Sequence, residues 1–300
     1  MRSIPWKQAL ISLGTILVIA SRVPLAGLRA GFRTLDVTYL FMALFASLVL
    51  LLLRAYKWHQ LMAAAGKGRL RLTLRTLFGG FALGLVTPGR LGELGRCAFV
   101  AEEERAQVAI LTVFDRLLDS WALLTSMGAS LFFLASRPAA IFGVAVWLAF
   151  LPLVLGLPAL LSQLAQLGRR LPGVGGYFRG AEMPPVSTPR LAIMALGATW
   201  AELASFYFLL RAFSPAGIST ALATYPYIVL AGDLPVSFSG IGVREGAAAL
   251  LLSPYTVPAE AAVGAALVWS AFAILFPAIL GAVWLAVDRT RGALRKYAFL

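Results

Sequence analysis

The sequence predicts an all-α polytopic membrane protein of about six transmembrane helices plus two re-entrant helical hairpins in an inverted repeat. Three observations predict it. The chain is 60% hydrophobic and only 13% charged, with mean hydropathy +0.85, a composition foreign to soluble globular proteins. Most of its 26 Lys and Arg residues gather between apolar runs, as the positive-inside rule expects. Two apolar stretches carry glycine, proline and charge at their centres.

Taken in order, Arg2 and Lys7 precede an apolar run that reads as a first span at about 8–28. A signal peptide is the alternative, but no small-residue cleavage site follows and Arg22 interrupts. A second span covers about 37–56. Arg54, Lys57, Lys67, Arg69, Arg71 and Arg75 come next with no acid among them, which places this loop in the cytoplasm. The first broken element occupies about 74–101, and its apolar lead is too short for the ~20 residues of a full span. It is expected to leave on the side it entered, so that Glu102, Glu103 and Glu104 sit at the cytoplasmic surface. Spans follow at about 106–134 and 139–161, then a polar loop at 162–189 and a fifth span at 190–212. The second broken element covers about 220–253 and the sixth span 259–287. A basic cytoplasmic tail, 288–300, ends the chain, with both termini inside.

The order span, span, re-entrant element, span describes 8–134. It describes 139–287 as well, starting from the opposite side. One membrane domain over 1–300, built from two inverted repeats, follows, with a substrate site near the midplane at their interface. Most Lys and Arg residues fall on the inside segments; Arg22, Arg29, Arg33, Arg137 and Arg211 fall outside.

The net charge of +13 could indicate a nucleic-acid partner, but its placement in loops favours membrane topology instead. The lone Cys97 excludes an intramolecular disulfide, and the lone His59 is read as part of the basic loop. No metal-binding, phosphate-loop or nucleophile-elbow motif is present, so neither a cofactor, a metal nor a catalytic residue is expected.

Gly89, Gly92 and Gly95 with Pro88 would expose a lipid-facing helix to lost hydrogen bonds. Such backbone survives at membrane depth only when buried in protein or lining a wet cavity. Arg90, Glu93, Arg96, Asp115, Arg116, Asp119, Glu202, Asp233, Arg244 and Glu245 are the ionisable residues left once the loops are set aside. Burying any of them without a partner costs several kcal/mol, so each is a candidate site residue. Asp115, Arg116 and Asp119 cluster on one helical stretch, roughly 13–20 Å along the third span. Arg90 and Arg96 suit an anionic headgroup, because guanidinium grips phosphate through a planar fork and keeps its charge when desolvated. Gly89 and Gly92 permit close backbone approach to it. Ser239, Gly240 and Gly242 before Arg244 repeat that logic. Glu93 and Glu245 could pair with these arginines, bind an amine or take a proton. The competing reading is that these charges pair only with one another and hold the loops in place.

Three segments together resemble a known family: Thr87-Pro88-Gly89-Arg90-Leu91-Gly92-Glu93 with Arg96, Arg116-Leu117-Leu118-Asp119, and 235–245 from Pro235 to Glu245. It is the flippase-like family of the lysylphosphatidylglycerol synthase transmembrane region, also called the YbhN family. The resemblance spans about 8–287. It implies a protein of the bacterial or archaeal cytoplasmic (inner) membrane that translocates a lipid. In two-part members a soluble domain makes aminoacyl-phosphatidylglycerol and this region flips it. The present chain ends soon after Asp288, so a stand-alone protein is expected, and the lipid is left open.

The expected function is translocation of an anionic or zwitterionic, phospho- or polyprenyl-linked lipid. Arg90 and Arg244 would hold the phosphate, with Glu93 and Glu245 balancing charge or binding an amine. Nothing supplies ATP hydrolysis, so transport would be downhill or coupled to a proton or ion through Asp115, Asp119, Glu202 or Asp233. A homo-oligomer or a lipid-synthesis enzyme is the candidate protein partner. Two other classes stay open: a secondary transporter of a small water-soluble solute, and a non-transporting accessory subunit of a lipid pathway. An enzyme acting on a lipid phosphate would need a nucleophile or metal cluster that these scattered acids do not form.

Overall fold

The computed structural model describes residues 14, 17, 25–87, 90–134, 137–170 and 182–297. Helices are the regular structure of the described residues, which contain no strand. The helices are α1 (Leu25–Arg33), α2 (Val37–Ala64), α3 (Leu70–Leu85), α4 (Arg105–Leu134), α5 (Arg137–Arg170), α6 (Thr188–Phe213), α7 (Ile218–Asp233), α8 (Val243–Leu252), α9 (Ala259–Ser270) and α10 (Phe276–Tyr297). A 3-10 helix, Leu91–Phe99, lies between α3 and α4. Among the described residues, three stretches are long and apolar enough to cross a membrane: Val37–Ala64, Thr188–Phe213 and Ala259–Asp288. Most of the first expected span lies outside the described residues.

Helix α2 starts where the Asp36 carboxylate accepts the Thr38 N–H at 2.8 Å. It runs on to Ala64, eight residues beyond the expected end of the second span. No glycine or proline interrupts it before Gly66, and Trp58, Leu61 and Met62 continue its buried stripe. Arg54, Lys57 and His59 are therefore helical residues, not loop residues as the sequence predicted. The expected polar loop also starts later, because α5 continues to Arg170 through Pro152 and Pro158. Arg29 and Arg33, expected in an outer loop, lie on α1. The expected sixth span is not one regular helix: a π turn, Ala271–Leu275, joins α9 to α10. Pro277 follows it, and a proline has no N–H to bond four residues back and crowds the carbonyl there.

Helices α2 and α6 form a central antiparallel pair. Along it, Tyr39 accepts from Arg211 at 3.1 Å, Ser47 bonds Ser205 at 2.8 Å, and Tyr56 accepts from Arg190 at 2.9 Å. Each helix serves two cores. Ala43 and Leu50 of α2 join Phe206, Tyr225 and Trp269 in one. Trp58 and Leu61 of α2 join Phe81, Phe114 and Leu191 in the other. The pair thus ties two apolar cores together, with a seam between them where buried polar groups can meet.

Candidate functional site

The chain turns back after α3 at Arg90, which adopts a left-handed conformation with φ 60°. The following 3-10 helix then retraces α3. Glu93 packs where a side chain on Gly84 would stand, Arg96 does so at Gly80, and Phe99 at Gly79. The first broken element is therefore a tight helical hairpin. A Cβ on Gly92 would overlap the Leu83 carbonyl, and the Gly92 N–H bonds Thr87 Oγ1 at 2.6 Å. The second broken element makes the same kind of close approach. A Cβ on Gly240 would overlap the Gly232 carbonyl, and Gly240 has φ 78°. The two elements also touch, because the Ser239 N–H donates to the Thr87 carbonyl at 3.2 Å.

Between them, at the α2–α6 seam, lies a cavity of about 250 Å³. Arg54, Arg90, Arg116 and Arg244 line it together with Asp119, Glu202 and Asp233. Leu91 and Leu94, both exposed, contribute an apolar side to the same cavity. Four guanidinium groups facing three carboxylates leave one excess positive charge. The volume falls below the ~300–1,000 Å³ of pockets that engulf drug-sized ligands, so it suits a headgroup or small anion.

Behind Arg90 runs a continuous ionic network. Glu93, 1% exposed, pairs with Arg90 and, at 2.8 Å, with Arg116. Arg116 also meets Asp119 at 2.9 Å. Asp119 pairs with Lys57, which pairs in turn with Asp115 at 2.9 Å. Asp115 receives Arg96 at 2.7 Å, and Arg96 lies over the Trp58 ring at 4.5 Å. Charges buried this deeply each carry a desolvation cost of several kcal/mol, and mutual pairing offsets it.

The second element is sparser. Arg244, 2% exposed, lies over the Trp269 ring at 5.0 Å and stands 3.7 Å from Asp233. Its Nε has no hydrogen-bond partner, and the Asp233 side chain is 42% exposed. Glu245 turns inward, accepting the Gly242 N–H at 2.7 Å and the Ser270 hydroxyl at 3.1 Å.

The structure thus brings Arg90, Arg116, Asp119, Glu202, Asp233 and Arg244 to one cavity. It does not bring the others there. Arg96 and Asp115 lie in the network behind it; Gly92, Gly240, Gly242 and the buried Ser239 shape the two turns. Glu93 and Glu245, expected to face a headgroup, do not line the cavity: one is ion-paired with arginines and the other caps α8. Gly89 lies outside the described residues. No group of three His, Cys, Asp or Glu side chains is placed to hold a metal among the described residues.

A family model described as the lysylphosphatidylglycerol synthase TM region matches residues 6–281. The chain belongs to this family. A search of curated proteins gives no match. The match to the lysylphosphatidylglycerol synthase TM region includes both broken elements and every charged residue of the cavity. As a member of that family, the protein is a multi-pass membrane protein related to lipid synthesis or transport.

Sequence reasoning missed Arg54 and Lys57. Arg54 pairs with Glu202 at 2.7 Å on the cavity wall, and Lys57 links Asp115 to Asp119. A usable signal was the unbroken helical stretch from Tyr56 to Ala65, with Trp58, Leu61 and Met62 keeping one face apolar. Thr199, Ser120 and Tyr225 also reach the cavity; as uncharged residues inside apolar runs they left no signal.

Proposed function

We propose that the protein is a lipid flippase that translocates an anionic or zwitterionic, phospho- or polyprenyl-linked lipid across the cytoplasmic membrane. The observation that carries this reading is the cavity itself. Arginines from both broken elements converge on a volume fit for a headgroup, with Leu91 and Leu94 on its apolar side. Arg90 and Arg244 hold the phosphate, while Asp119, Glu202 and Asp233 balance its surroundings or carry a coupling proton or ion. The acyl chains stay in the bilayer. The protein performs no covalent chemistry in this reading.

The proposal includes six spans, two re-entrant hairpins and an inverted repeat, with both termini cytoplasmic. Reciprocal packing supports it: α4 of the first half packs on α7, α10 of the second half packs on α3, and α2 packs on α6. Exchange of partners in this way is what two related halves produce.

Purified protein in liposomes tests the function, with headgroup-labelled phosphatidylglycerol, aminoacyl-phosphatidylglycerol and a short polyprenyl phosphate as probes. Exchange above empty liposomes is expected for at least one, and loss of it in folded Arg90→Ala and Arg244→Ala. No exchange for any probe under an imposed pH gradient, or full activity in both variants, overturns the assignment. The accessory-subunit and soluble-solute readings would then take its place.

A further inference from the structure

A second site lies away from the central cavity. Helices α3 and α10 pack closely, since a side chain on Gly281 would overlap the Phe78 carbonyl. Beside that contact they leave a groove of about 370 Å³ walled by Phe78, Leu280, Val283, Trp284 and Val287. Its apolar wall is open: Val283 is 56% exposed. One end is charged. Arg71 lies there with its side chain 67% exposed, bonded to Asp288 at 2.7 Å, and Arg75 stands one turn along α3 with its Nε 3.6 Å from Asp288. Two guanidinium groups thus share one carboxylate.

From this arrangement we infer that the groove is a binding site for an acidic glycerophospholipid. The acyl chain lies along Val283 and Leu280, and the phosphate sits at Arg71 and Arg75 beside Trp284. Apolar floor, interfacial aromatic and basic rim come in the order that a lipid presents its own parts. Basic pockets between helices at a membrane surface select anionic headgroups for this reason. Arg69, on the approach to α3, adds a positive charge to this end of the bundle. A zwitterionic lipid would bring its own cation against Arg71 and lose that advantage. Asp288 acts as the competitor: it holds Arg71 when no phosphate is present and yields it when one arrives. The site does not depend on the central cavity, so it stands whether or not the protein flips lipid.

Trp284 gives a local readout. The full chain is reconstituted in phosphatidylcholine vesicles, and brominated phosphatidylglycerol or brominated phosphatidylcholine is titrated in. The Trp284 share of the quenching is the difference between the native protein and Trp284→Phe. Phosphatidylglycerol is expected to saturate it at about five-fold lower mole fraction for each arginine engaged. The preference should vanish in Arg71→Gln with Arg75→Gln and strengthen in Asp288→Asn, where the competitor is gone. Equal quenching by both lipids overturns the proposal, as does a preference that survives the double arginine variant. Trp284 unquenched by either lipid would mean that another protein surface, such as a second copy of the chain, covers the groove, and would also overturn it.

Discussion

The two broken elements are built on one plan and held by different forces. In each, a glycine presses against a carbonyl in the last turn of the preceding helix, and a buried arginine lies over a tryptophan. The first element is then fastened by a chain of ion pairs from Arg90 through Glu93, Arg116, Asp119, Lys57 and Asp115 to Arg96. The second has one long pair, Arg244 with Asp233, and a backbone cap by Glu245. Charge in the first element is closely paired, Arg90 included, although Arg90 also lines the cavity. In the second, Arg244 has its one ion pair at 3.7 Å and lines the cavity. The same residue type therefore does different work in the two halves, and an anion arriving in the cavity finds its least engaged guanidinium at Arg244.

That contrast can be broken most sharply at the two glutamates. Glu93→Gln should cost about 3–5 kcal/mol, because Arg90, Arg96 and Arg116 lose a shared counter-charge in a buried setting. Thermal unfolding in detergent, followed by loss of monodisperse protein, measures it; a variant as stable as the native protein would dissolve the distinction between the elements. Next come the glycines, where the two elements should agree. Gly92→Ala and Gly240→Ala each drive a Cβ into a backbone carbonyl that cannot swing away. Each should cost about 2–3 kcal/mol, with the positive φ adding strain at Gly240. Tolerance of alanine at either position would show that the close approach is not required.

Arg244→Lys comes third. Stability should fall by only about 1 kcal/mol, since the single ion pair is long, while translocation falls about tenfold because an ammonium cannot present the planar fork. Matched losses of stability and activity would place Arg244 with the structural charges of the first element. The smallest effect is expected for Glu245→Gln. A glutamine still accepts the Gly242 N–H, so the change should stay within about 1 kcal/mol. An effect as large as that of Glu93→Gln would mean that the Glu245 charge matters beyond its cap.

Much of this was legible from residue order. A helix does occupy the stretch expected at 106–134, as α4, and both broken elements fall where glycine, proline and charge interrupt apolar runs. Interruptions are local, so they can be read locally. For Arg54 and Lys57 the local pattern could show a continuing helix but not the inward turn of the charge. A basic residue just past an apolar run looks the same whether it enters water or turns inward, and the partners that decide it are far away in sequence. Glu202 and Asp115 are such partners. The inward turn of Glu245 was hidden for a related reason. Its acceptors are used by its own helix start and by Ser270, so its charge, which drew attention to it, is not what positions it.

The π turn before Pro277 acts as a phase shift. Ser270 and Gly281 are about three α-helical turns apart and would share a face of an uninterrupted helix, at 3.6 residues per turn. One residue of surplus winding rotates everything beyond it by roughly 100°. Ser270 can then point at Glu245 in the second half while Gly281 meets the Phe78 carbonyl in the first. A single rod is thereby given two bearings, and it stitches α8 to α3 across the molecule.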